Sequence, residues 1–397
     1  MSFLSRDVYD YRRAKLDAMM DEGGLDGVVV FGVDFFQFLT NFHVDVHAWE
    51  RPIALIVPRS GEPVAVMNTL STNHLGFANK RGSFWTNVVH FYCEFPLEEG
   101  DPRSRKTFEE HVVEQIDAAG LGNATVGVDT NAAWLEKIMA GHAGVKVKST
   151  MDGFRKLRWI KHAEELKIME QLCDLSDWTQ ELYREGIRPG RLVHELDYSI
   201  AAKVFTEAAE RFPGENFEYR FFTLSGASSA SCHGDSQQAG ARIQKGDGLI
   251  NILIPRLNGV TIENERTYFV GQPTDLQHRA YDAALEANLA SIEQMVADNP
   301  VSAIDEAPRK IFAKHGFSQN VVHRTGHGMG LINHEFPEDM PFCHRPLIKN
   351  EVYSAEPGIY IEGLGGFRAD DTVVVGEKNA TVLTRSSKDF ESRIIHC

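Results

Sequence analysis

The chain of 397 residues lacks the marks of several common protein classes. It has no run of about 18 apolar residues, which a transmembrane helix needs. Its first residues contain no apolar segment followed by a small-residue cleavage site, so no signal peptide is expected. No G-x-G-x-x-G motif follows a strand and no Walker A motif occurs, so nucleotide binding has no support in the sequence.

Cysteine and positive charge are also scarce. The five cysteines show no C-x-x-C spacing, and an odd, dispersed set favours reduced thiols in a cytoplasmic protein. The net charge is -15, which would repel phosphates, so neither nucleic acid nor a membrane is an expected partner. With 43% apolar and 24% charged residues, the composition is typical of a globular protein.

The length and the pattern of elements predict two domains, residues 1–155 and residues 156–397. The first domain begins with an amphipathic helix over residues 8–22, which is followed by an apolar strand and a hairpin. This alternation predicts a small α/β domain with a mixed sheet. In the second domain, helices precede and follow a set of antiparallel strands, which predicts an α+β arrangement rather than a doubly wound sheet.

Polar residues that carry chemistry concentrate in the second half of the chain. A lone histidine is more often structural than catalytic, but His233 and His327 lie beside glycines that allow close approach. Glu356 and Asp370 lie in otherwise apolar strands, where a buried carboxylate is costly without a partner. Such a set fits either a metal cluster or general acid–base catalysis.

Several runs of this region resemble, in order, the sequence blocks of the creatinase / aminopeptidase P / methionine aminopeptidase superfamily, the pita-bread hydrolases. The runs are R-x-I-K-x-x-E-E (158–165), T-G-H-G-M-G-L-x-x-H-E-x-P (325–337), A-E-P-G-I-Y (355–360) and G-x-R-x-x-D-T-V-V-V (366–375). The resemblance implies a C-terminal pita-bread catalytic domain, a homodimer and a small-molecule substrate.

The metal enzymes of this superfamily hold two divalent ions with Asp, Asp, His, Glu and Glu. The resemblance transfers these positions to Asn251, Glu263, His327, Glu356 and Asp370. The first is a neutral amide, and losing an acid should weaken a site for two ions. The expectation is therefore that no metal cofactor is needed. The alternative is a single ion of Mn, Fe, Zn or Co held by the other four residues.

The metal-free branch of the superfamily is creatinase, which also has asparagine at the first position and reads E-R-T where this chain has 265–267. Carried over, its proton shuttle falls on His233 and its guanidinium-binding glutamates on Glu265 and Glu356. The stretch after His233 is about two residues longer than in creatinase. His327 and His334 would then donate hydrogen bonds to the substrate.

A loop in the N-terminal half, residues 40–52, supplies a further candidate. In creatinase-like dimers the corresponding loop reaches the neighbour's active site. Trp49 and Arg51 lie where an aromatic residue and an arginine would bind a substrate carboxylate. An ordinary polar loop is the alternative.

The leading hypothesis is a metal-independent hydrolase that cleaves a C–N bond in a small zwitterion such as an amidino or guanidino acid. The alternatives are a metal-dependent Xaa-Pro aminopeptidase or dipeptidase, a lyase acting on an onium-type substrate, and a catalytically inactive binding module.

Overall fold

The structure is a computed structural model that describes residues 4–44, 46–142, 144–234, 240–336 and 340–397. The chain divides into two compact units between Arg158 and Trp159, close to the boundary predicted after residue 155. Within the described ranges, no helix is long and apolar enough to cross a membrane.

The N-terminal unit alternates helices with the strands of one sheet. Its elements are α1 (Arg6–Gly23), β1 (Gly27–Val30), α2 (Val33–Thr40), β2 (Ala54–Pro58), β3 (Val64–Asn68), α3 (Thr72–Arg81), β4 (Val88–Tyr92), α4 (Phe108–Ala118), β5 (Thr125–Val128), α5 (Ala132–Ile138), β6 (Lys146–Ser149) and α6 (Met151–Leu157). The strand order is β4-β3-β2-β1-β5-β6. Strand β1 runs antiparallel to β2 and parallel to β5, so the predicted mixed sheet is confirmed. Strands β1 and β2 are buried along their whole length, as expected of strands covered on both faces.

The C-terminal unit places two helices before its strands and two within the strand series. Its elements are α7 (Ala163–Gly186), α8 (Val193–Arg211), β7 (Phe217–Ser225), β8 (Gly248–Leu257), β9 (Val260–Thr261), β10 (Asn264–Val270), α9 (Asp275–Gln294), α10 (Ala303–His315), β11 (Val352–Ala355), β12 (Gly358–Ile361), β13 (Gly365–Arg368), β14 (Asp371–Val374), β15 (Thr381–Val382) and β16 (Ile394–Ile395). The main sheet has the order β16-β10-β8-β7, and its central pairs are antiparallel. This is the predicted α+β arrangement.

Helical periodicity explains how this sheet is covered. Helix α7 buries Ile168, Leu172 and Leu175 at intervals of three and four residues, which places them on one face, and the helix contacts β8 and β10. A capping box formed by His162 and Glu165 fixes its first turn.

Backbone pairing between strands brings the polar clusters of the sequence together. Glu265 lies opposite Ile252 in the β8–β10 pair, and it also exchanges backbone hydrogen bonds of 3.0 and 3.3 Å with Asp370. The segment that carries His327 is bonded to the end of β11, where the Ser354 amide donates to the carbonyl of His327 over 2.9 Å. Gly326 permits this approach, because a Cβ atom there would collide with the Ser354 carbonyl.

Candidate active site

A cavity of about 540 Å³ lies within the C-terminal unit. One wall is apolar and comes from β7 and β8, and the other is rich in carboxylates and imidazoles. The lining residues are Arg220, Phe222, Cys232, His233, Ile252, Ile254, Glu263, Glu265, His323, Arg324, His327, Asn333, His334, Pro341, Phe342, Glu356 and Arg368. Most of the predicted catalytic side chains therefore share one space.

Strand geometry explains why two of the acids point the same way. Glu263 directly precedes β10 and Glu265 is the second residue of that strand, and this spacing of two residues lets both side chains reach the cavity. Both are buried. Glu356 directly follows β11, and Asp370 directly precedes β14 and is fully buried. Four carboxylates thus converge where water has little access, which is costly unless positive charge accompanies them.

His327 lies among these acids. Its Nε2 atom is 3.2 Å from Glu263 Oε2 and 3.3 Å from Glu356 Oε1. Burial disfavours the imidazolium, but the two glutamates outweigh it and raise the pKa of His327 to about 10. The Oε1 atom of Glu263 also accepts a hydrogen bond of 2.7 Å from the Asn333 amide.

Arg368 supplies a second positive charge. Its guanidinium pairs with Glu265, and its Nη1 atom is 3.5 Å from Glu356 Oε2. Burial disfavours the carboxylate of Glu356, but His327 and Arg368 outweigh it and lower its pKa. Burial raises the pKa of Glu265 to about 8, with neighbouring glutamates adding to the shift and Arg368 opposing it.

Asp370 differs from the other acids of the cluster. Neither oxygen of its side chain has a hydrogen-bond partner among the described residues, although the residue is fully buried. Burial, and then the neighbouring glutamates, raise the pKa of Asp370 well above its usual range. A buried carboxylate without a partner is a rare feature of native proteins, and a bound cation would compensate its charge.

The remaining histidines of the prediction border the same cavity. The ring of His334 stacks on His327 with 3.7 Å between centroids, and His334 is exposed. His233 is exposed and lines the cavity. Residues 235–239, which follow it, and Pro337, the last residue of the 325–337 motif, lie outside the described residues.

The position assigned to the first metal ligand does not face the cavity. The Asn251 side chain donates a hydrogen bond of 2.6 Å to Thr223 Oγ1, while the residues of β8 that line the cavity are Ile252 and Ile254. Successive side chains of a strand point to opposite faces. Because Ile252 faces the cavity, Asn251 points away from it and cannot be a ligand there. At this point of β8, the side chain that faces the cavity is that of Ile252.

Trp49 and Arg51 belong to the N-terminal unit. Trp49 is 85% exposed, and Arg51 pairs with Glu50 and Glu94, both at 2.7 Å. Substrate binding by these two side chains stays a prediction. Asp45, in the same loop, lies outside the described residues.

Two groups of side chains present ligand atoms within 4.8 Å of one another: Glu263, His327 and His334; and Glu265, Glu356 and Asp370. The separations of 3.2 and 3.3 Å around His327 Nε2 match those of ligands that share one ion at about 2.0–2.2 Å. Together with the unpartnered oxygens of Asp370, this donor set fits a divalent metal ion.

Comparison with known proteins agrees with this chemistry. The model of metallopeptidase family M24 matches residues 167–377, and the creatinase/prolidase N-terminal domain matches residues 12–160. The two units and the acidic cavity define a hydrolase of the pita-bread class, as the sequence predicted. The chain belongs to metallopeptidase family M24.

Individual relatives are peptidases by name. A Xaa-Pro dipeptidase of Pyrococcus furiosus is 32% identical over 62% of this chain and 70% of that protein. A putative dipeptidase, YkvY, of Bacillus subtilis is 24% identical over 96% of this chain and 99% of its own. Among solved structures, dipeptidase PepE from Mycobacterium ulcerans has a TM-score of 0.81 at 25% identity and covers 99% of this chain and 100% of its own.

These findings correct one prediction and shift another. The expectation that no metal cofactor is needed is wrong, because the chain belongs to a metallopeptidase family and its cavity presents two metal-competent groups. The hydrolase class is confirmed, but the relatives favour the alternative peptidase over the creatinase-like hydrolase of amidino acids. The asparagine expected at the first metal position therefore does not imply a metal-free site.

Proposed function

We propose that this protein is a metal-dependent dipeptidase that hydrolyses Xaa-Pro dipeptides. The observation that carries the proposal is the buried cluster of carboxylates around His327, in which both oxygens of Asp370 have no hydrogen-bond partner among the described residues. The names of the relatives support the substrate class.

Four residues would hold the ion: Glu263, His327, Glu356 and Asp370. A divalent ion at such a site polarises the scissile carbonyl and lowers the pKa of a water molecule. Glu265 would remain paired with Arg368 at the edge of the ion site. The roles predicted for Glu265 and Glu356 in holding a guanidinium group are thus replaced by charge compensation within the cluster and by metal binding.

Proton transfer would fall to the two exposed histidines of the cavity. The ring of His334 is accessible, but the atoms around the cavity partly desolvate it. This desolvation, and then the proximity of His327, lower the pKa of His334, which favours the neutral ring that can accept a proton. The nitrogen of an Xaa-Pro bond carries no hydrogen and must gain a proton as it leaves. His233 and His334 border the cavity where such transfers would occur.

The apolar wall suits a proline ring. Phe222, Ile252 and Ile254 line it, and a volume of about 540 Å³ lies within the range of about 300–1,000 Å³ typical of small-molecule sites. A dipeptide would then place its peptide bond at the acidic wall and its C-terminal residue on the apolar one.

The test is to remove metal with a chelator, restore Mn²⁺ or Co²⁺ separately, and measure hydrolysis of Ala-Pro, Ala-Ala and creatine. The proposal expects the stripped protein to lose activity, the ion to restore it, and Ala-Pro to be the preferred substrate. Full activity in the stripped protein would contradict the metal requirement, and hydrolysis of creatine alone would contradict the substrate class.

We also propose that the protein works as a homodimer in the cytoplasm on small peptides, without nucleic-acid or membrane partners. The five free cysteines support a reducing compartment. Light scattering after size-exclusion chromatography tests the oligomeric state, and a monomer would contradict it.

A further inference from the structure

The cavity-facing side of β8 carries no metal ligand. Side chains alternate along a strand, and Ile250, Ile252 and Ile254 form an apolar cluster with Tyr360 and partly buried neighbours. The polar residue between them, Asn251, bonds to Thr223 on the opposite face. The strand beside Glu265 therefore presents hydrocarbon to the cavity.

The register of the sheet fixes what lies opposite the acids. Ile252 is the direct partner of Glu265 in the antiparallel pair, where Cβ atoms of partners are about 4.5–5.5 Å apart. Two catalytic ions lie about 3.5–4 Å from each other and need carboxylates that bridge or flank both of them. On the β8 side, a second ion would meet a methyl group instead of an oxygen.

Arg368 further limits the charge that the cluster can accept. Its guanidinium pairs with Glu265 and approaches the Oε2 atom of Glu356, and the side chain is buried. These oxygens are thus turned toward a fixed cation. A second divalent ion beside that cation would be repelled in a region of low dielectric constant.

The ligands that remain belong to two groups, one with Glu263 and His327 and one with Glu356 and Asp370, and Glu356 lies next to both. Glu263 Oε2 and Glu356 Oε1 lie on either side of His327 Nε2, and the ligand atom of Asp370 is within 4.8 Å of that of Glu356. From this geometry we infer that the cavity binds a single divalent ion through Glu263, His327, Glu356 and Asp370. Ile252 and the Glu265–Arg368 pair fill the space in which a second ion would bind. This inference rests on the proposed function, since it presupposes a metal enzyme.

The test counts ions. The purified full chain is stripped with a chelator, dialysed against Mn²⁺ and analysed for manganese per chain by plasma mass spectrometry. Electron paramagnetic resonance then separates an isolated ion from a spin-coupled pair. The expected result is one ion per chain with the spectrum of an isolated ion.

A matched pair of variants places the cause at one residue. Ile252→Asp adds an oxygen ligand to the apolar wall and should raise the count to two, with a spin-coupled signal. Ile252→Asn has nearly the same shape without the charge and should keep one ion. Circular dichroism verifies that both variants fold, and the count on the unaltered chain decides the question if either does not.

The outcomes separate the two proposals. Two ions in the unaltered chain would overturn the single-ion inference and leave the proposed function intact. A chain that binds no ion and hydrolyses its substrate without one would overturn the proposed function itself.

Discussion

Two adjacent aspartates show how the fold treats a buried acid on either side of one strand. Asp371 accepts hydrogen bonds from Arg266 at 2.8 Å, Thr384 at 2.7 Å and Lys388 at 2.5 Å. Burial disfavours its carboxylate, but Arg266 and Lys388 outweigh this and lower the pKa of Asp371 to about 2. Asp370 is buried to the same extent, yet neither oxygen has a hydrogen-bond partner in the described part of the chain.

Asp371 stabilises the fold through its partners, whereas Asp370 is buried without a hydrogen-bond partner among the described residues. A buried ion pair with complete hydrogen bonding is strongly destabilised when one partner is removed. A buried acid without partners weakens the fold until something binds it. Asp371 is therefore structural, whereas the proposed metal ion would compensate the cost of burying Asp370.

Replacing the structural acid should have the largest effect. Asp371→Asn leaves Arg266 and Lys388 without their anion, and it should lower the free energy of unfolding by about 3–5 kcal/mol. Urea denaturation followed by circular dichroism measures the change. A loss below about 1 kcal/mol would mean that the two faces of this strand do not differ as described.

The neighbouring substitution should behave in the opposite way. Asp370→Asn relieves repulsion among the buried acids, so the metal-free protein should be as stable as the parent or more so. Loss of an outer-shell partner typically lowers metal affinity by about 10–100-fold. The affinity of Asp370→Asn for the ion should fall by more than this, and the rate of hydrolysis should fall with it. Calorimetric titration with Mn²⁺ measures the affinity, and unchanged binding would remove Asp370 from the ligand set.

A third buried acid sharpens the comparison, because it accepts hydrogen bonds from backbone amides. Asp129 follows β5 and accepts hydrogen bonds from the amides of Phe31 at 2.9 Å and Gly32 at 2.8 Å. Burial raises the pKa of Asp129 to about 6 in spite of these bonds. No ion pair joins Asp129 to a cation among the described residues, and the hydrogen bonds alone do not offset the loss of hydration.

This shift has a defined sign. The folded state holds the Asp129 proton more tightly than the unfolded state, so its contribution to stability is fully present below about pH 4. It is lost as the pH rises to about 6, and the loss amounts to about 2–3 kcal/mol at most. We expect the unfolding free energy of the parent to fall relative to that of Asp129→Asn as the pH rises from about 4 to about 7. Urea denaturation of both proteins over this range measures the difference. A difference independent of pH would show that Asp129 does not titrate there.

The sequence was sufficient for the architecture because periodicity and strand alternation decide it. It predicted the first helix, over residues 8–22, which is observed as α1, and the mixed sheet of the first unit. The order of the polar clusters identified the superfamily. It also selected Glu263, Glu265, His327 and Glu356, all of which line the cavity.

The errors arose where a shift of one residue reverses the face of a strand. The resemblance transferred the first metal position to Asn251, whereas the residue of this part of β8 that faces the cavity is Ile252. The alternation of isoleucines at 250, 252 and 254 carried the correct signal. No local sequence pattern predicts that Arg368 pairs with Glu265, because that contact depends on the pairing of strands that are distant in the sequence.

Two arginines of the cavity, Arg220 and Arg368, allow the same comparison for positive charges. The effect expected from replacing Arg220 is the smallest of those predicted. Arg368 is buried and paired with acids, whereas Arg220 is exposed and, in the described ranges, makes a cation–π contact with Phe222 at 5.4 Å but no ion pair. We expect Arg220 to bind the C-terminal carboxylate of a dipeptide.

An exposed ion pair contributes about 0.2–1 kcal/mol, so Arg220→Gln should raise KM for Ala-Pro by no more than about fivefold and leave kcat unchanged. The control substrate is Ala-prolinamide, which lacks the carboxylate. Its KM should be high and the same for the parent and for Arg220→Gln. If the substitution raised KM for the amide as much as for the acid, Arg220 would act on the shape of the cavity rather than on charge. In that case an unpaired charge would indicate a ligand-binding residue for the acids of the cavity, such as Asp370, but not for its arginines.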